Sequence, residues 1–70
     1  MLSARNQFKG KVVSVKSGSV MSEVVIRIAP ELEIVALIST SSAKRLKLKK
    51  GRPATAVVKA TEVIVSAGED

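Results

Sequence analysis

Apolar residues recur at every second position over most of this chain, the mark of extended backbone with one face turned inward. From Val20 to Ala29 the alternation is clean: Val20, Ser22, Val24, Ile26 and Ile28 fall on one side, and Glu23 and Arg27 on the other. Phe8 to Lys16 is rich in Val and reads as a strand, with Gly10 marking a bulge or bend. Lys16-Ser17-Gly18-Ser19 reads as the turn between them. Ala29-Pro30-Glu31 ends the second strand, because Pro cannot donate to a central ladder. Leu32 to Ser39 predicts a third strand, with Leu32, Ile34, Ala36 and Ile38 opposite Glu33, Val35 and Leu37. Apolar residues on both of its faces predict burial on both sides.

The pattern then changes period. Ser39-Thr40-Ser41-Ser42 precedes Ala43-Lys44-Arg45-Leu46-Lys47-Leu48, and Lys49-Lys50-Gly51-Arg52-Pro53 follows. Hydroxyl residues are favoured N-caps, and a Lys-rich last turn followed by Gly and Pro is a stop signal, so one short helix of about two turns fits. Ala54 to Ala60 and Glu62 to Ser66 predict two more strands with a kink at Thr61, and the tail from Ala67 to Asp70 is expected to fray. Five strands with a helix between the third and fourth is the element order of an OB-like barrel, so the fold class predicted is all-β. The whole chain, 1–70, reads as a single domain. Such barrels bind nucleic acids, sugars and other ligands, so fold alone does not settle function.

Composition narrows the choice. At 70 residues the chain is near the size that hides only about 60% of the surface its unfolded form exposes, and short domains often rely on disulfides, a metal or self-association. This one has no Cys and no His, which excludes disulfides, haem and soft-metal centres. Self-association remains, and a composition that is 46% apolar with Phe8 as its one aromatic suits closely apposed sheets. Neither a signal-peptide pattern nor a run of about 20 apolar residues is visible, so the chain reads as soluble and cytoplasmic.

The net charge of +6 asks for a negatively charged partner. Lys44, Arg45, Lys47, Lys49, Lys50 and Arg52 supply half of the cations, and such a run commonly forms a solvated helix face and turn. A small basic nucleic-acid-binding module is one reading. Barrels of this class hold single strands by stacking bases on aromatic side chains, and Phe8 alone offers no such platform. Gly-rich phosphate loops are absent, and no nucleophile has a base or paired carboxylates beside it, so the chain does not read as an enzyme. A pterin ring would want aromatic walls that the chain lacks.

A small dianion fits better. Ser3-Ala4-Arg5-Asn6-Gln7 and Val57-Val58-Lys59-Ala60-Thr61 together offer a guanidinium, an ammonium and hydroxyls, with no acid inside either tract. In an extended tract Ser3 and Arg5 point to one side. Lys59 shares a face with Val57, and an ammonium among apolar groups wants a counter-charge. The segment Ser39 to Ser42 brings hydroxyls and backbone N–H groups to the start of a helix, where its dipole is positive. Each has a plainer role: Ser41 or Ser42 as a cap, Lys59 as a snorkelling lysine, Arg5 paired with a glutamate. Their joint occurrence favours the anion.

Ser3-Ala4-Arg5-Asn6-Gln7, Lys9-Gly10-Lys11-Val12-Val13-Ser14-Val15, Glu23-Val24-Val25-Ile26 and Val57-Val58-Lys59-Ala60-Thr61-Glu62-Val63 closely resemble the molbindins. These are small molybdate-binding proteins, also called molybdenum-pterin-binding or Mop proteins. The resemblance runs from Ser3 to Ser66. It implies an OB-like barrel assembled as a homo-hexamer, a trimer of dimers, holding molybdate or tungstate as an oxyanion at subunit interfaces, with no free metal cation. It also implies a role in molybdenum storage or homeostasis. Carried over by position, Ser3 and Arg5 would contact the anion, Ser39 and Ser42 would add donors, Lys59 the balancing charge, and the backbone at Ala60 a further donor. A second anion site would lie around Ser19, Val20 and Met21. Met21 stands where the family often has Asn, which predicts a weaker second site. The turn Ala29-Pro30-Glu31 replaces a frequent Gly-rich turn, an exchange expected to be neutral.

Overall fold

The computed structural model describes residues 4–68. Strands β1 (Asn6–Ser17), β2 (Met21–Ala29) and β3 (Leu32–Ser39) follow one another, then helix α1 (Thr40–Arg45), strand β4 (Pro53–Val58) and a 3₁₀ turn (Ala60–Glu62). The strands form one antiparallel sheet in the order β3-β2-β1-β4, curled into a half-barrel. The alternation read from the sequence sets its inner face. Val12, Val24, Ile26 and Ala56 are buried together, and Val15, Ile34, Ile38, Leu48 and Ala54 pack around them.

Two irregularities produce the curl. The bulge expected at Gly10 lies further on, where the pairing slips between Val12 and Ser14, while Gly10 stays in register opposite Ala54. An extra residue there moves the inward set from Val12 to Val15, three positions on, and bends the strand. Gly10 has a different task. A Cβ at that position would stand 2.1 Å from the Arg27 carbonyl oxygen, so only a glycine lets β1 pass so close to β2. At the β2–β3 turn Glu31 takes φ 66°, the left-handed region that glycine enters most easily. The exchange from a Gly-rich turn therefore carries backbone strain instead of being neutral.

Among the described residues there are four strands, not five. The strand expected over Glu62–Ser66 is absent: Glu62 closes the 3₁₀ turn, and the segment beyond has no ladder partner among the described residues. Its apolar side chains are bare, with Ile64 94% and Val65 85% exposed. The outer strands β3 and β4 consequently flank an open groove of ≈ 740 Å³ instead of meeting through a fifth strand. β3 is also covered on one face only. Ile34 and Ile38 turn inward, whereas Val35 and Leu37 are largely exposed, against the expected burial on both sides. No helix among the described residues is long and apolar enough to cross a membrane.

Candidate functional site

Arg5 and Lys59 flank the same end of one ladder. The last β1–β4 pair is Asn6 opposite Val58, so the residue before Asn6 and the residue after Val58 sit one step beyond it, side by side. Both side chains are exposed, and neither has an ion pair among the described residues. The strand stops at Val58, short of the Ala60 expected. Lys59 is extended (φ −66°, ψ 135°) and precedes the 3₁₀ turn, and Ala60 opens that turn. The first N–H groups of such a turn lack acceptors within it. Arg5 lies in a bend just before β1, so only Asn6 and Gln7 of its tract join the sheet. Ser3 lies outside the described residues.

Ser39 and Ser42 meet at the start of α1. Ser39 is the N-cap: its Oγ accepts from the Ser42 backbone N–H at 3.1 Å and donates to the Ser42 Oγ at 2.7 Å. The Arg45 guanidinium, one turn along, donates to the same Ser42 Oγ at 3.3 Å. With two donors already directed at it, the Ser42 oxygen has its own proton free to give outward. The result is a patch of donors with a cation beside it and no carboxylate among its partners. Arg45 was not singled out in the sequence, where it belongs to a long cationic run. The one available signal is its spacing of three from Ser42, which puts both on one helix face.

The third candidate group, Ser19, Val20 and Met21, forms the exposed β1–β2 turn, and Met21 pairs directly with Ser39. That turn is fastened to the helix from inside. Thr40 donates its backbone N–H to the Val20 carbonyl at 2.7 Å and its hydroxyl to the Gly18 carbonyl at 2.8 Å. With the Thr40 proton so engaged, the buried Ser22 hydroxyl donates to Thr40 Oγ1 at 2.8 Å. Sequence reading put Ser22 on the apolar face of β2 and gave it no task; its task is to complete this relay.

The candidates therefore fall into two clusters. Arg5, Lys59 and Ala60 sit where β1 begins and β4 ends. Ser39, Ser42, Arg45 and the Ser19–Met21 turn sit where β1 and β3 end. The two lie at opposite ends of β1, separated by about 36 Å of strand contour at roughly 3.3 Å per residue. No hydrogen bond or ion pair joins them among the described residues. No group of three or more Asp, Glu, His or Cys side chains suited to a metal cation occurs among the described residues.

The chain is similar to known proteins over nearly its whole length. Residues 2–65 match the family model described as the TOBE domain. The chain is 50% identical to molybdenum-pterin-binding protein 2 of Clostridium pasteurianum over 66 residues, which is 94% of this chain and 97% of that protein. Among solved structures, MopII from Clostridium pasteurianum superposes with a TM-score of 0.89 at 49% identity, covering 96% of this chain and all of that one. The cytoplasmic molybdate-binding protein ModG, crystallised with molybdate bound, gives a TM-score of 0.87 at 38% identity. That match covers 91% of this chain and 45% of ModG.

Proposed function

The chain belongs to the TOBE-domain family, with the small molybdenum-pterin-binding proteins, and from that premise we propose that it binds molybdate as an intact oxyanion and stores it in the cytoplasm. The observation that carries this reading is the pair of donor-rich, acid-free clusters at the two ends of the sheet. Molybdate is a dianion with acceptor oxygens only, so a pocket made of donors suits it at every oxygen. Hydrogen phosphate carries a proton for which such a pocket has no acceptor. Sulfate carries none, so the pocket discriminates against it by size, and tungstate fits as well as molybdate does.

The two clusters lie at opposite ends of β1 and share no hydrogen bond among the described residues, which favours a site built between copies. The site is complete when Arg5, Lys59 and Ala60 of one copy meet Ser39 and Ser42 of another, with Arg45 joining the second set. Ser3, carried over with Arg5, belongs to the first set, and Ser19, Val20 and Met21 line a second anion site in the assembled protein. Support for self-association comes from the exposed aliphatic side chains Leu32, Val35, Leu37, Ile64 and Val65, the kind of surface that other copies can cover. The fifth strand belongs to the same assembly. Glu62–Ser66 of one copy pairs along an open edge of another, closing the barrel and covering the groove between β3 and β4. A homo-hexamer built as a trimer of dimers satisfies these contacts. A binding role, without catalysis, accords with the relatives named as molybdenum-pterin-binding and molybdate-binding proteins.

Isothermal calorimetry tests the reading. Saturable molybdate binding is expected, and Arg5→Ala or Lys59→Ala should weaken it at least about tenfold, since a hydrogen bond to a charged group contributes about 1.5–3 kcal/mol. If the Lys59→Ala protein binds as tightly as the parent, the site assignment is wrong.

A further inference from the structure

The cationic run after α1 is held as a shaped groove, and nothing in the oxyanion site uses it. A cavity of ≈ 320 Å³ opens there, with Lys44, Lys47, Lys49 and Arg52 around its rim and Val15 and Leu48 within. No acidic residue lines it, and none of these four cations has an ion pair among the described residues. The backbone beneath is anchored. Leu48 and Lys47 donate to the Ala43 and Lys44 carbonyls at 3.1 and 3.0 Å, which closes the helix in a Schellman motif. Gly51 donates to the Val12 carbonyl at 2.7 Å, and Val12 returns a bond to the Arg52 carbonyl at 2.9 Å, so the turn is tied to the sheet.

Lys47 is the telling residue. It occupies the position just past the helix that glycine ordinarily takes, with φ 56°. A lysine there accepts backbone strain that a glycine would avoid, and what it adds is a fourth positive charge on the rim.

We infer that this groove docks an acidic segment of a partner protein, one that alternates carboxylates with aliphatic side chains. Charge complementarity selects the carboxylates, and the aliphatic lining selects what lies between them. No aromatic residue lines the groove for a base to stack on, which argues against a nucleic-acid strand. The inference is independent of the oxyanion reading, because no group assigned to that site lies in the groove.

The test is amide-resolved NMR titration of the assembled protein with a short synthetic peptide alternating Glu and Leu, and in parallel with oligothymidylate, both at physiological salt. Saturable peptide binding that perturbs residues 43–52 is expected. Lys47→Gly and Lys49→Gln should each weaken it about threefold, a loss typical of one solvent-facing ion pair. Lys9→Gln, the same charge change on β1 away from the groove, should leave the affinity unchanged. Lys47→Gly should melt no lower than the parent, since it relieves the strained φ, so its loss of binding does not reflect unfolding. Replacing Leu by Ser in the peptide should also weaken it. The inference fails if the peptide does not saturate, if Lys9→Gln weakens binding as much as Lys49→Gln, or if the Ser peptide binds equally well. It fails too if oligothymidylate binds the same residues more tightly than the peptide.

Discussion

At the scale of single residues, polar groups here are arranged by what they can donate. Arg5, Lys59, Ser42 and Arg45 present protons outward, and no carboxylate is bonded to any of them among the described residues. Most of this set was legible in the sequence, because the hydroxyls, the two outlying cations and the missing acids can be counted there. Arg45 was not, since its distinction from neighbouring lysines depends on helix phase. Ser22 and Thr40 were not either, because alternation reports which face a residue takes but not which hydroxyl it meets across 18 residues of chain. Their relay yields a prediction. Thr40→Val keeps the shape but leaves the buried Ser22 hydroxyl without its partner and frees the turn at Gly18 from its side-chain bond. A cost of about 1–3 kcal/mol is expected for such a group. Thermal melting at fixed protein concentration should show the fall, and an unchanged midpoint would mean that water replaces the threonine at no cost.

Among elements, strands were easier to read than their ends. Three long strands and a hydroxyl-capped helix follow from local periodicity and chemistry. The helix, however, takes in Thr40 to Ser42 and ends at Arg45 on Lys47, ahead of the Gly and Pro read as its stop. The fourth strand ends two residues early and the fifth does not form, because a strand exists only where something pairs with it, and pairing is not written locally. Valines at 63 and 65 with Ile64 between them have strand propensity without a ladder partner among the described residues. Gly10 shows the complementary case: the sequence marks a special backbone position, but not whether the need is a bulge or a close approach. The contact with Arg27 decides for the latter. Gly10→Ala should therefore destabilise the protein by about 1–3 kcal/mol, the usual cost of forcing extra volume into a filled place. The variant should melt lower at fixed concentration; tolerance without loss would show that β1 and β2 can separate freely at Arg27.

On the scale of the molecule, the sheet carries an Arg–Lys pair at one end and a hydroxyl cluster with Arg45 at the other, and aliphatic side chains stand exposed between them. In the assembly proposed above, each anion site would take one of these clusters from each of two copies. Assembly and anion binding are then linked: bringing the cationic ends together is unfavourable until a dianion lies between them, so bound molybdate should raise the melting temperature. The most direct measurement uses two disabled proteins, Lys59→Ala and Ser42→Ala, each titrated with molybdate by calorimetry alone and after being unfolded and refolded together. If each site draws Lys59 from one copy and Ser42 from another, mixed assemblies regain a fraction of full-affinity sites that neither parent has. If co-refolded protein binds no better than the two parents measured separately, each site is built within a single chain and the account is contradicted.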